Sequence, residues 1–136
     1  MKTKKIAASL IALLIMLMAT STCFAAHGEN VLRPGESLTP GQFLISHNGQ
    51  FYLRMQTDGN LVMYNQFGFA LWSTGTVGAR VDKLIMQTDG NLVMYAANGH
   101  VYWQTHTQGH YGAYLKASSN ACIEIRWNGT AIRSYP

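Results

Sequence analysis

Cysteine is scarce in this chain: its 136 residues hold two, Cys23 and Cys122. Cys23 sits in a leading stretch that reads as removable, so the remainder has no pair for an intrachain disulfide. Cys122, left alone, reads as a small buried apolar side chain. Charge is thin as well, at 12% of residues. The formal net charge of +4 overstates the basic character, because Lys2, Lys4 and Lys5 belong to the leading stretch. Beyond residue 25, seven basic residues face six acidic ones, a net of +1 with no basic run. Nucleic acid needs a stronger electrostatic footprint than that, so it is excluded as a partner. No long apolar run follows the first residues, and no membrane span is expected. Helix signals are missing too, since Gly and Asn recur every few residues and no amphipathic stripe survives ten positions.

The leading stretch has its own grammar. "MKTKK" is positive, "IAASLIALLIMLMA" is apolar but short for a membrane span, and "TSTCFAA" supplies small residues. That order describes a secretory signal over residues 1–25, with cleavage after Ala25 and Ala26 as second choice. Lipid attachment at Cys23 is disfavoured, because Thr20, Ser21 and Thr22 lack the usual leucine. The expected product is a secreted, extracellular domain spanning 26–136. Its 111 residues suffice for one domain with its own core.

What the sequence does contain is a repeat. "MQTDGNLVMY" occurs at 55–64 and again, letter for letter, at 86–95. Trp72 and Trp103 each follow the closing tyrosine by eight residues, so the period is 31. A faded third copy reads "YLKASSNACIEIRWNGTAIRS", with one extra residue before its Asn128–Gly129 turn. Repeats at such spacing are read before anything else. Short alternating runs of Val, Tyr, Leu, Phe and Met are separated by "HNG", "TDGN", "ANG" and "WNG", which is hairpin chemistry. Each copy predicts strand, turn at Asp-Gly, strand, turn, strand, with the tryptophan on the last. "GQFLISHNGQFYLRMQ" adds a leading hairpin to the first copy. An all-β domain of three small sheets with rough threefold symmetry follows, the tryptophans filling the space where the sheets meet.

The polar letters of the repeat need a reason of their own. With Asp58–Gly59 as a hairpin turn, Gln56 and Asp58 close one strand, while Asn60, Val62 and Tyr64 line the next. Met55, Leu61 and Met63 then face inward. The outward set suits a neutral polyhydroxyl ligand: a carboxylate accepts from adjacent hydroxyls, amides donate and accept, and tyrosine adds a hydroxyl. Val62 would give the C–H face of a sugar ring an apolar shelf. The competing reading is that Asp, Gly and Asn are present only to make the turn. Pattern alone leaves both open.

At these residues the chain resembles the bulb-type, or monocot mannose-binding, lectin family, whose Gln-x-Asp-x-Asn-x-Val-x-Tyr site occurs up to three times. The likeness covers roughly residues 30–136 and includes "GESLTPGQFL" and the tryptophan after each motif. It implies a β-prism II fold, three four-stranded antiparallel sheets with pseudo-threefold symmetry, no catalysis and no cofactor. It also implies mannose-containing glycans as partners, at two sites. One is Gln56, Asp58, Asn60, Val62 and Tyr64; the other is Gln87, Asp89, Asn91, Val93 and Tyr95. In the third copy the matching positions are read as Lys116, Ser118, Asn120, Cys122 and Glu124, where only the Asn survives and no pocket is expected. The disulfide common in plant members is absent. Plant members often pair by exchanging C-terminal strands, and whether "RSYP" does so to give a homodimer is left open. An enzyme is not expected, because Asp58 and Asp89 fall in separate repeats, too far apart for paired-carboxylate hydrolysis. His106 and His110 lie four apart with a glycine between and no helix, a poor metal pair. The alternative to a glycan-binding lectin is a lectin-like bacteriocin, or an adhesive prism that contacts cell-envelope polymer or protein. "NGT" at Asn128 is a glycosylation sequon that matters only in a eukaryotic host.

Overall fold

The computed structural model describes residues 28–136, and the regular elements in that span are all strands. The expected signal segment, residues 1–25, lies outside the described residues. In chain order the strands are β1 (Val31–Leu32), β2 (Ser37–Leu38), β3 (Phe43–Ile45), β4 (Phe51–Met55), β5 (Leu61–Asn65) and β6 (Ala70–Ser73). There follow β7 (Lys83–Met86), β8 (Leu92–Tyr95), β9 (Val101–Gln104), β10 (Tyr114–Ala117), β11 (Ile123–Trp127) and β12 (Thr130–Tyr135). They build three four-stranded antiparallel sheets, ordered β3-β4-β5-β6, β2-β7-β8-β9 and β1-β10-β11-β12. Each copy of the repeat supplies three consecutive strands, with its tryptophan on the last in the first two copies, as expected.

The fourth strands come from one N-terminal stretch. The leading hairpin β3–β4 was legible, but β1 and β2 are two residues each, too short to show an alternating pattern. They run ahead to the second and third copies and stitch the sheets together. The same backbone position receives them each time. Gly35 N–H bonds the Met86 carbonyl at 2.6 Å, Gly41 N–H bonds the Met55 carbonyl at 2.7 Å, and Ala117 N–H bonds the Asn30 carbonyl at 2.8 Å.

Inward-facing side chains repeat in threes. Leu32, Leu38 and Leu44 come from β1 to β3, and Leu53, Leu84 and Leu115 from β4, β7 and β10; all are essentially inaccessible. Met55, Leu61 and Met63 are fully buried as expected, with Met86, Leu92 and Met94 in the second copy. The third copy places Ala117, Ile123 and Ile125 there. Each such Leu, Ile or Met contributes about 1.5–3 kcal/mol through burial. The tryptophans meet as expected: their ring centroids are 5.7 Å apart, edge to face. Their strand position in the third sheet falls on exposed Arg133, so Tyr135, two residues on, closes the cluster at 5.0 and 5.6 Å from Trp72 and Trp103. Burial there pushes the Tyr135 hydroxyl pKa up, and Arg133 only partly opposes it.

All three copies carry a strand irregularity at one place: between Met63 and Tyr64, Met94 and Tyr95, Ile125 and Arg126. These points are 31 residues apart, so the third copy keeps the period. The extra residue expected before its turn is therefore not there. Gly129 comes one residue earlier than the period places it, because β11 and β12 run on to Trp127–Thr130 and close tightly through Asn128 and Gly129.

The turn between β4 and β5 is pressed against the β6–β7 connection, where Gly78 N–H bonds the Asp58 carbonyl at 2.8 Å. Gly59 has φ +92°, and a methyl group on it would collide with the Ala79 carbonyl and stand 2.9 Å from the Ala79 nitrogen. Gly90 repeats this against His110 and Thr107. Gly59→Ala is expected to cost about 2 kcal/mol or more in urea unfolding. Gly68→Ala, with open space around it, should cost only about 1–2 kcal/mol, the left-handed backbone penalty alone. Equal costs would show that the close approach is not what selects Gly59.

Candidate functional site

The duplicated motif folds as the Asp-Gly hairpin reading requires. Gln56 N–H bonds the Asn60 carbonyl at 2.9 Å, Gly59 N–H bonds the Gln56 carbonyl at 3.3 Å, and Asp58 Oδ1 accepts from Asn60 N–H at 3.0 Å. The second copy repeats these contacts at 2.9, 3.1 and 2.9 Å. Above the turn the side chains form a directed chain. The Tyr64 hydroxyl donates to Gln56 Oε1, and Gln56 Nε2 donates to both Asp58 oxygens at 3.1 Å. In the second copy the Tyr95 hydroxyl donates to Gln87 Oε1 at 2.6 Å, and Gln87 Nε2 reaches the Asp89 oxygens at 3.1 and 3.2 Å. The Asn60 N–H above all, and then the Gln56 amide, hold the Asp58 carboxyl below its ordinary pKa.

Asn60 and Val62 do something different from Gln, Asp and Tyr. Asn60 is 9% exposed and Asn91 6%. The Asn60 Oδ1 accepts from Thr74 Oγ1 at 3.1 Å and from Thr76 N–H at 3.2 Å. Thr76 Oγ1 in turn donates to the Gly59 carbonyl at 2.7 Å, and Thr74 Oγ1 accepts from Leu61 N–H at 3.1 Å. Asn91, Thr105 and Thr107 reproduce the lock. The amide oxygen is thus committed to the fold, and only Nδ2 is left for other work. In the second copy Nδ2 donates to Gln104 Oε1 at 2.9 Å; the first copy has Ser73 there. Val62 and Val93, at 3% and 2% exposed, form a floor rather than an open shelf. The threonines escaped the sequence reading. Their signal was Thr-x-Thr after each tryptophan, at 74 and 76 and again at 105 and 107, the same period of 31.

The third copy needs a corrected alignment. Strand register pairs Arg54 with Val62, Ile85 with Val93 and Lys116 with Glu124. The turn bond of Gln56 N–H to the Asn60 carbonyl has its counterpart in Ser118 N–H to the Cys122 carbonyl. The residues standing where Gln, Asp, Asn, Val and Tyr stand are therefore Ser118, Asn120, Cys122, Glu124 and Arg126. The set beginning at Lys116 was displaced by two, and not even the Asn survives in place. Ala121, at φ 61°, takes the glycine's position. At the positions of Val62 and Tyr64, Arg126 Nη1 donates to Glu124 Oε2 at 2.8 Å, and Arg126 Nη2 donates to the Gly129 carbonyl at 2.7 Å. Cys122 is half-buried rather than buried; that burial pushes its thiol pKa up. The expectation of no pocket there was read on the wrong residues; the register puts Ser118, Asn120, Cys122, Glu124 and Arg126 at those positions.

Gln56 and Tyr64 open onto a cleft of about 410 Å³ lined also by Tyr52, Arg54, Asn65, Gln66 and Gly68. Gln56 and Asp58 share a second cleft of about 260 Å³ with Gly41, Arg54 and Thr57. In the second copy Tyr95 meets Asp82, Lys83, Ala96, Ala97 and Gly99 around about 240 Å³. His110 packs edge-on against Trp127, with Nδ1 at 2.9 Å from the Thr107 carbonyl, while His106 is exposed. Among the described residues no group of His, Cys, Asp or Glu could hold a metal.

Three four-stranded antiparallel sheets around a pseudo-threefold axis, with polar hairpin turns at two of them, are a β-prism II module. The snowdrop (Galanthus nivalis) mannose-specific agglutinin, solved with methyl-α-D-mannoside, is similar: 36% identity, TM-score 0.65, covering 77% of this chain and all of that one. A structure of monomeric monocot mannose-binding lectins from Gastrodia elata gives 32% identity and TM-score 0.69 over 78% of this chain and 96% of that one. A mannose-specific lectin of Narcissus tazetta is 44% identical over 50 residues, 37% of this chain. That match spans about a third of the curated relative's length, 34%. No family model matches the chain. The chain belongs to the bulb-type, or monocot mannose-binding, lectin family. It is a lectin-type protein rather than an enzyme.

The lowered Asp58 pKa has a sign that can be checked. The stabilisation Asp58 gives is complete above its unfolded value, about 3.9, and is lost as pH falls through the lower folded value. A carboxyl-carbon NMR titration should place the Asp58 midpoint below that of an unfolded peptide. A midpoint at or above the peptide's would mean that the Asn60 and Gln56 donors do not hold the charge.

Proposed function

We propose that the chain is an exported lectin that binds mannose-type glycans through two pockets: Gln56, Asp58, Asn60, Val62 and Tyr64, and Gln87, Asp89, Asn91, Val93 and Tyr95. The observation that carries this is the Tyr–Gln–Asp hydrogen-bonded chain, present in both intact copies and replaced by an ion pair in the third. Turn formation accounts for Asp58, Gly59 and Asn60, and it uses only the backbone of Gln56; the side chains of Gln56 and Tyr64 make none of the turn's own hydrogen bonds. They place an amide and a phenol beside a carboxylate, a set that exchanges hydrogen bonds with adjacent sugar hydroxyls. The ligand of the snowdrop protein and the names of the snowdrop and Narcissus proteins support mannose as the sugar.

Tyr, Gln and Asp already bond one another in each pocket, so a sugar competes with those bonds and adds only at the lone pairs and N–H groups they leave over. Binding of one sugar should therefore be weak, about millimolar or roughly −4 kcal/mol. Two pockets on one chain convert this into useful affinity only for polymeric or branched glycans.

The mature protein is expected to be retained on a mannan column and released by free mannose. Asp58→Ala with Asp89→Ala should abolish retention, although the turn is weakened as well. Tyr64→Phe with Tyr95→Phe leaves the turn intact and should lower retention at least several-fold. Normal retention of both double variants would sink the assignment. Export rests on the charged–apolar–small order of residues 1–25. N-terminal sequencing of protein from the culture medium should begin at Ala26, and a start at Met1 would refute cleavage.

A further inference from the structure

The two pockets share their motif but not their surroundings, and this asymmetry assigns a ligand. On the outward face of the first sheet, Arg54 stands opposite Val62 and its guanidinium lies 5.5 Å from the centre of the Phe43 ring. Among the described residues it joins no ion pair, whereas Arg33 and Arg126 both do. Like Gln56, it lines both clefts of the first copy. Asp58 lines the smaller cleft with it. In the larger one, Arg54 is the sole charged lining residue among Tyr52, Gln56, Tyr64, Asn65, Gln66 and Gly68.

The register removes this cation elsewhere. Ile85 holds the equivalent position in the second copy, and the cation of that cleft, Lys83, shares it with Asp82. In the third copy Lys116 pairs across the strands with Glu124. The cleft of about 410 Å³ also falls within the ~300–1,000 Å³ of sites that take more than a single small group. A planar guanidinium stacked on an aromatic face keeps its donor edge free for phosphate or carboxylate.

We propose that the first pocket takes an acidic mannosyl ligand, with a mannose ring on the Tyr64–Gln56–Asp58 chain and an anionic substituent or neighbouring acidic sugar on Arg54. This rests on the lectin reading above and names its ligand class. The second pocket takes neutral mannose.

The test is an amide NMR titration of the 26–136 protein, following the first and second turns separately. The probes are methyl α-D-mannoside, mannose 6-phosphate, and a mannose–glucuronic acid disaccharide. At low salt the first pocket should prefer at least one acidic probe to methyl mannoside by roughly three- to fivefold, the upper part of what an exposed ion pair gives. The preference should fade at about 0.5 M salt, where charges are screened within a few ångströms. The second pocket should show none. Arg54→Ile should bring the ratio at the first pocket to about one, and Arg54→Lys should retain part of it. A phosphate-only response identifies the anion as phosphate, and a response to both acids identifies general anion recognition. An unchanged ratio in Arg54→Ile, or equal preference at both pockets, overturns the assignment. If methyl mannoside binds and neither acid is preferred, the inference fails while the lectin reading stands. If no probe shifts either turn, both fail.

Discussion

The Asp58 carboxylate accepts from the backbone of Asn60 and from the side chain of Gln56, and much else depends on that double duty. The first bond closes the hairpin. The second fixes the Gln56 amide so that its oxygen faces Tyr64. Asn60, turned the other way, ties the same hairpin to Thr74 and Thr76 at the end of β6. The turn is thereby gripped from three sides: its own strands, the last strand of its sheet, and the following connection packed on Gly59. A ligand site built there is preorganised, since few rotamers remain to be frozen when a sugar arrives.

The third copy shows what the fold demands when the five motif letters are not kept. Its inward positions stay apolar, its irregularity stays at the same point, and its turn still bends through a left-handed residue, Ala121. All five outward motif positions have changed, and two of them have become an ion pair half-shielded from water. Packing alone therefore preserves the inward set and lets the outward set drift. The same comparison argues that the outward identity of the first two copies serves something beyond packing.

Much of this was legible in the sequence, because the exact decapeptide gave both the period and the faces. Met55, Leu61 and Met63 alternate with the polar letters, and alternation is what a sheet reads. The strands β1 and β2 were not legible, since two residues carry no period. The slip in the third copy has a sharper cause. Matching Asn120 to the motif's Asn by residue type displaced the motif by two, and a two-residue shift keeps every side chain on its original face. Alternation cannot detect such an error; the strand irregularity and the left-handed Ala121 can. The role of Asn60 was hidden for another reason. An amide can face either the sugar or the fold, and its threonine partners lie fourteen to sixteen residues away.

Preorganisation and weak binding of a single sugar follow from one arrangement. Because Tyr64, Gln56 and Asp58 already satisfy one another, a neutral sugar gains only the difference between two similar sets of hydrogen bonds. Selectivity must then come from groups beside the chain that have no internal partner to give up. At the first pocket the Arg54 guanidinium joins no ion pair among the described residues, while at the second pocket Asn91 Nδ2 is already bonded to Gln104. Two identical motifs thus sit in one chain amid different surroundings, and on the proposed reading the shared decapeptide places a sugar while the unshared residues of the flanking strands set which sugar is preferred.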